Sequence, residues 1–245
     1  MKLLALDTSA GPASCAVAED GRLLASCAVN VSLTHSQTLL PMVEDLLKNA
    51  SLSLQDIDML AVSAGPGSFT GVRIGVAAVK GLAFPRNLPC LAVSTLAAIS
   101  RNFEGLSGPA SVCAVMDARC RQAYTARFSL GEDGSLRRDT PDEALTLDDL
   151  AAALACIKKP VFLVGDGANL CYTALQESIP GLRLAPEHLR YQQAAGVAAE
   201  AFRLAAEGQA VSPAELQPVY LRLPQAERER LAALSPAGPS GKIHQ

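Results

Sequence analysis

The sequence predicts an α/β chain of two lobes, and three observations lead there. The first third alternates as three strands, a helix, a strand and a glycine-led helix. A strand that runs into glycines and then a helix occurs twice, at Gly65-Pro66-Gly67-Ser68-Phe69-Thr70-Gly71-Val72-Arg73-Ile74-Gly75 and at Gly165-Asp166-Gly167. Between the halves, Glu104-Gly105-Leu106-Ser107-Gly108-Pro109 replaces the periodic pattern with glycine, serine and proline, as a boundary does. The lobes are therefore expected at 1–103 and 110–222.

Each element has its own reason. Lys2–Asp7 and Ala13–Ala18 are short apolar runs that read as buried strands, and Asp20-Gly21 is a two-residue turn leading into Arg22–Val29, which completes a meander. Ser36–Asn49 carries Leu39, Leu40, Val43, Leu46 and Leu47 on one helical face. Asp58–Ser63 is a buried strand, Val72–Phe84 an apolar helix, Pro89–Ser94 a strand and Thr95–Arg101 a short helix. In the second half, Ser111–Asp117 and Ala123–Phe128 read as paired strands, Gly131–Gly134 as a turn, and Leu147–Ile157 as a helix capped by Thr146. Val161–Val164 is a strand that meets the second glycine pair, which opens a helix at Ala168–Glu177. Gln192–Ala206 is a long Ala-rich helix, and the 192–207 stretch is expected to pack back on the first lobe. Pro218–Arg222 reads as a strand, Ala226–Leu234 as a short charged segment, and 235–245 as a disordered tail, too poor in apolar residues to order itself.

Composition excludes several classes of function. Of 245 residues 49% are apolar and the formal net charge is −3, so there is no basic footprint for unaided nucleic-acid binding, and any RNA contact is expected through a partner. The first apolar run is too short for a signal peptide and reaches Asp7 at once, and nothing approaches the roughly 20 apolar residues that span a bilayer. A cytoplasmic location with no membrane contact is expected. Seven cysteines make an odd set with no Cys-x-x-Cys pair, which points to neither a disulfide framework nor a zinc site. A hydrolase built on Ser68 or a cysteine would lack a Gly-x-Ser-x-Gly elbow and a partner histidine.

The 65–75 loop sits at a strand's carboxyl end, where ligands bind in α/β proteins. Gly65, Gly67 and Gly71 could let a backbone approach an anion held by the free N–H groups of the following helix. They could equally form a tight helix entry with Ser68 or Thr70 as cap. It is not a P-loop, since three residues separate Gly67 from Gly71 and Val72-Arg73 follow. Gly71, Gly75 and Ala78 recur at helical spacing, a small-residue stripe that allows close packing. Asp7 and Thr8 could hold a metal-bound phosphate or fix the next turn. Asp117-Ala118-Arg119 could be a catalytic pair but reads better as a strand-end ion pair, and Arg73, Lys80 and Arg86 could form a positive face toward tRNA or nucleotide but read better as a solvated or partner-facing side.

Taken together, Leu4-Ala5-Leu6-Asp7-Thr8-Ser9, His35-Ser36-Gln37 with Leu40-Pro41, Gly65–Gly75, Val115-Met116-Asp117-Ala118-Arg119, Gly165-Asp166-Gly167 and Pro218–Arg222 resemble the TsaB (YeaZ) proteins of bacteria. The likeness runs from residue 2 to about 222. It implies the two-lobed actin-like ATPase (ribonuclease H-like) fold, each lobe a mixed sheet flanked by helices. It also implies a part in making threonylcarbamoyladenosine next to the tRNA anticodon.

By that resemblance the chain is a non-catalytic paralogue of the transferase TsaD, with no catalytic residue and no metal of its own. TsaD holds a metal through a His-x-x-x-His pair on its first helix, whereas this chain reads His35-Ser36-Gln37-Thr38-Leu39, and Leu39 cannot ligate. His35 is expected to be a helix-entry residue. The resemblance further implies docking on TsaD through the helices carrying Leu39, Leu40, Val43, Leu46, Arg73, Val76 and Lys80, recruitment of the ATPase TsaE, and tRNA contact through the complex. It implies a homodimer when the chain is alone, and a degenerate nucleotide site at Asp7, Thr8, Gly65, Gly67, Ser68, Gly71, Gly165 and Gly167. No intrinsic cofactor is expected, with ATP or ADP at the partner interface instead. The competing reading is an actin-like kinase or ATPase acting alone, for which Gly11-Pro12, where many relatives carry an acidic residue, is an unfavourable sign.

Overall fold

The computed structural model describes residues 1–31 and 34–222; the expected charged segment at 226–234 and tail at 235–245 lie outside the described residues. The first sheet has the order β3-β2-β1-β4-β5. Its strands are β1 (Lys2–Asp7), β2 (Ala13–Glu19), β3 (Arg22–Val29), β4 (Met59–Gly65) and β5 (Cys90–Ser94). The first three form an antiparallel meander, and β4 and β5 continue from β1 in parallel. The sheet is therefore mixed.

Both faces of this sheet are covered, which is why β1 reads as an unbroken apolar run rather than an alternating one. Leu4 and Leu6 point to one side, where α1 (His35–Asn49) and α2 (Phe69–Ala83) pack. Leu3 and Ala5 point to the other, where α7 (Ala194–Ala206) lies. That second face is built from small residues, Ala5, Ala16, Ala18 and Ala61 against Ala194, Ala198 and Ala201, so helix and sheet approach closely.

The second sheet has the order β11-β10-β6-β7-β8, with β9 also on β7. Its strands are β6 (Ala110–Asp117), β7 (Gln122–Leu130), β8 (Leu136–Arg138), β9 (Glu143–Thr146), β10 (Val161–Val164) and β11 (Leu182–Leu184). Helices α4 (Leu147–Ala155) and α5 (Ala168–Leu175) cover one face, and the short α6 (Glu187–Arg190) precedes α7. Between the sheets sits α3 (Thr95–Ser100), all six residues of which are buried. Its Ala98 joins the core under α7, while Leu96 and Ile99 join Phe103, Val112 and Met116 beneath the second sheet.

Several boundaries differ from expectation for physical reasons. Helix α2 begins at Phe69, not Val72, because Ser68 caps it by accepting from Gly71 N (3.3 Å). Pro218–Arg222 forms no strand; it is a strap held by one ladder-like bond, Val219 N to Ala64 O (2.7 Å). Strands β8, β9 and β11 are too short and too polar to show a period.

The α7 contact has one buried ionic clamp. Glu200, 7% exposed, accepts from Arg101 Nε (2.8 Å) and Nη2 (2.6 Å) and from Arg203 Nε (3.0 Å) and Nη2 (2.7 Å). Burial pushes its carboxyl up, but the Arg203 and Arg101 hydrogen bonds prevail and hold it below its ordinary value of 4.5. Because the folded value is the lower one, the stabilisation is present above pH 4.5 and is lost as pH falls through the folded value. Glu200→Gln is expected to cost about 3 kcal/mol by urea denaturation at pH 7, with the gap to wild type closing below pH 4.5.

A second expectation concerns α2. A Cβ on Gly71 would strike the Thr8 carbonyl, whereas one on Gly81 meets nothing within 4 Å. Gly71→Ala should destabilise by about 3 kcal/mol, and Gly81→Ala should stabilise by about 0.5–1 kcal/mol through helix propensity, read from the same denaturation curves.

Candidate functional site

The exit of β1 and the loop that opens α2 form one packed unit. Asp7 is fully buried, with Oδ1 accepting from Ser9 N (2.8 Å) and Ser9 Oγ (2.7 Å) and Oδ2 from Ser63 Oγ (2.6 Å). Desolvation raises its pKa, and the serine hydrogen bonds work against that rise. The carboxylate thus fixes the next turn, the second of its two readings. Thr8 Oγ1 donates to Gly71 O (2.7 Å), and Ser68 N donates to Ser9 O (2.7 Å).

The glycines are required by the chain's own backbone. A Cβ on Gly67 would sit 2.5 Å from Ser9 O, one on Gly75 would sit 2.6 Å from Thr8 Oγ1, and one on Gly71 would be closer still to Thr8 O. Gly65, at φ +126°, faces the Val219 carbonyl of the strap. The second lobe repeats the device: Gly165, at φ +112°, faces Val115 O, and Gly167 lies against Met116 and Asp117 N. Gly165 N donates to Arg190 O (2.6 Å) and Gly167 N to Val115 O (3.2 Å). Both glycine pairs are filled by polypeptide, and both Asp7 carboxylate oxygens are engaged within the chain. These residues do not fit as a cradle for a metal-bound phosphate.

His35 opens α1 with Nε2 on Ala10 O (2.8 Å), and Leu39 one turn later is 1% exposed. That placement bears on the expected partner face and corrects part of it. Leu39, Leu46 and Val76 point into the core beneath α1 and α2 and leave almost no surface for a partner, and Val43, equally buried, contributes only to the floor of a groove. Lys80 is drawn to the segment just before the strap, donating to Ala214 O (3.2 Å) and Leu216 O (3.0 Å). Arg86 is likewise held by Leu54 O and Ile57 O, so the expected positive side reduces to Arg73.

What remains outward is a groove on the α1 and α2 side. Leu40, 49% exposed, stands at its edge, and Val43, Leu47, Leu52, Leu54 and Leu82 line it, with Glu44 and Lys48 on the rim. The sequence reading selected Leu40 and Val43 but not Leu52, Leu54 or Leu82. Leu52 and Leu54 follow the end of α1, where periodicity no longer indicates direction, and Leu82 lies in the last turn of α2. At the other end of α2, Arg73 lies over the Phe69 ring (3.8 Å) and donates from Nε to Tyr220 OH (2.7 Å). Phe69 and Tyr220 pack with centroids 5.1 Å apart. Nothing in the sequence joined residues so distant.

Two mixed sheets flanked by helices, with a glycine-led helix in each lobe, define a protein of the actin-like ATPase (ribonuclease H-like) fold class. A family model described as TsaD, tRNA N6-adenosine threonylcarbamoyltransferase, matches residues 29–229. The chain is 33% identical over 222 residues to the tRNA threonylcarbamoyladenosine biosynthesis protein TsaB of Escherichia coli, covering 91% of this chain and 95% of that one. It is 33% identical over 234 residues to the protein of the same name from Bacillus subtilis, covering 93% and 96%. The solved structure of YeaZ from Pseudomonas aeruginosa superposes with a TM-score of 0.73 at 34% identity, over 90% of this chain and 99% of that one. The chain belongs to the TsaB (YeaZ) family of tRNA threonylcarbamoyladenosine biosynthesis proteins.

The core and groove assignments separate two adjacent leucines. Leu39→Glu buries an unpaired carboxylate and is expected to cost about 3–5 kcal/mol, whereas Leu40→Glu is expected to leave the circular dichroism spectrum and melting temperature near wild type.

Proposed function

We propose that this chain is a non-catalytic subunit of the assembly that places a threonylcarbamoyl group on the tRNA adenosine next to the anticodon. It docks on TsaD through the outward side of α1 and α2, holds TsaD in its active form and helps recruit the ATPase TsaE. ATP or ADP is bound at the shared interface rather than in this chain's own cleft, and tRNA is engaged by the complex. In the absence of TsaD the same side pairs with a second copy. The assembly works in the cytoplasm, and among the described residues no helix is long and apolar enough to cross a membrane.

The reading is supported by a contrast within one lobe. The loops that would cradle a phosphate are filled by the chain's own backbone, while the neighbouring helices leave an apolar groove facing solvent. An exposed apolar strip of this kind is what a partner's helices cover. Val43 and Leu47 give the groove a buried floor, Leu40 an exposed apolar edge, and Glu44 and Lys48 a polar rim, the usual anatomy of a binding surface.

The test is incorporation of labelled threonine into unmodified tRNA with the carbamoyl-adenylate-forming enzyme, TsaD and TsaE supplied. Incorporation should require this chain. With Leu40→Glu and Leu82→Glu together, incorporation should fall at least tenfold while the chain stays folded. Full incorporation without the chain, or metal-dependent ATP turnover by the chain alone, would favour the independent ATPase instead.

A further inference from the structure

One end of the molecule gathers four arginines that the docking groove does not use. Arg73 projects from the first turns of α2, and two of its guanidinium nitrogens donate to nothing among the described residues. Its partner Tyr220 belongs to the strap, and two residues on, Arg222 donates from Nη1 to Ala118 O (3.3 Å). Ala118 begins the tip of the β6–β7 hairpin, which carries Arg119 and Arg121. The strap therefore ties the start of α2 to the hairpin tip, and brings arginines from both lobes to one edge.

The tip has an unusual backbone. Arg119, Cys120 and Arg121 are all left-handed, at φ 61°, 52° and 56°, a conformation that L residues adopt singly and at a cost. It is imposed by short bonds: Arg119 N donates to Asp117 Oδ1 (2.7 Å), Gln122 N to Arg119 O (3.1 Å) and Ala118 N to Gln122 O (3.0 Å). The result is a hydrogen-bonded turn with both arginines exposed. Strain held this way is common where a loop makes contacts.

Among the described residues, no carboxylate lies within 4 Å of Arg73, Arg119, Arg121 or Arg222. The carboxylates at this end face elsewhere: Asp117 binds the Arg119 N–H, and Asp166 lies 3.5 Å from Gln192 Nε2. On a chain of net charge −3, four unpaired guanidiniums along one edge are a local exception. Arginine is the side chain best suited to phosphate, through its fork of donors. Tyr220, 39% exposed, adds an aromatic ring on which an unstacked base can rest.

We propose that this edge, Arg73, Arg119, Arg121 and Arg222, contacts backbone phosphates of the tRNA when the chain is part of its complex. The proposal rests on the functional reading above and adds direct contact to it. The groove at the opposite end of α2 docks the protein partner, so both surfaces can be occupied at once.

The test is fluorescence anisotropy of labelled unmodified tRNA with the chain bound to TsaD, at several salt concentrations. Arg119→Gln with Arg121→Gln alters only exposed hairpin side chains, and is expected to weaken tRNA binding roughly tenfold and to lower the slope of log affinity against log salt by about 2, one for each phosphate contact removed. Arg119→Lys with Arg121→Lys keeps the charge and should keep most of the slope. Unchanged affinity and slope in the glutamine variant would overturn the proposal. So would failure of that variant to co-purify with TsaD, or loss of ATP binding with tRNA binding intact, which would make the edge a docking or nucleotide surface. If wild-type chain and TsaD do not associate at all, the functional reading itself falls, and the same titration on the chain alone decides the RNA contact.

Discussion

The backbone contact between the Thr8-Ser9 turn and the Gly65–Gly71 loop is the constraint on which the first lobe depends. Ser68 N reaches Ser9 O, Thr8 Oγ1 reaches Gly71 O, and no side chain larger than hydrogen fits at Gly67 or Gly71. Asp7 secures the turn from within, and its burial raises its pKa because three hydrogen bonds do not fully replace water. This contact sets how far α2 stands from the sheet. It therefore sets where Leu82 and the rest of α2 meet α1, and so the shape of the outward groove.

The same contact has a chemical consequence. A glycine loop at the carboxyl end of parallel strands is a ready anion site when its amides are free and its hollow is open. Here the hollow takes the Ser9 carbonyl on one side and the Val219 carbonyl on the other. The second lobe does the same with Val115 at Gly165. Close packing continues between the lobes, where α3 is buried along its whole length and Glu200 is held between Arg101 and Arg203. A well-packed scaffold favours presenting surfaces to other molecules, since less order is lost on binding.

The fold class was legible because it rests on local patterns. Buried strands, the Asp20-Gly21 turn, the Ser68 cap and the two glycine pairs all act within a few residues, and their order defines the mixed first sheet. The close-packing use of Gly71 and Gly75 was legible for the same reason, through the small-residue stripe. Direction was harder. Leu39 and Leu40 are neighbours on an apolar helix, and only the width of the sheet beneath decides that one is core and the other surface. The strap was the least legible feature: Val219 and Tyr220 act on Gly65 and Arg73 about 150 residues earlier, and no pattern in either segment records that meeting. The left-handed turn at Arg119–Arg121 was hidden too, because it contains no glycine to announce it.

The most direct test of the central claim, that this chain works by presenting the α1 and α2 side to a partner, is hydrogen exchange of the full chain with and without TsaD. The account predicts that amides of residues 40–54 and 78–86 slow on mixing, while those of 65–71 and 165–167 exchange as before because they are already packed. Protection centred on the two glycine loops, appearing with ATP and a divalent metal and without any partner, would contradict it.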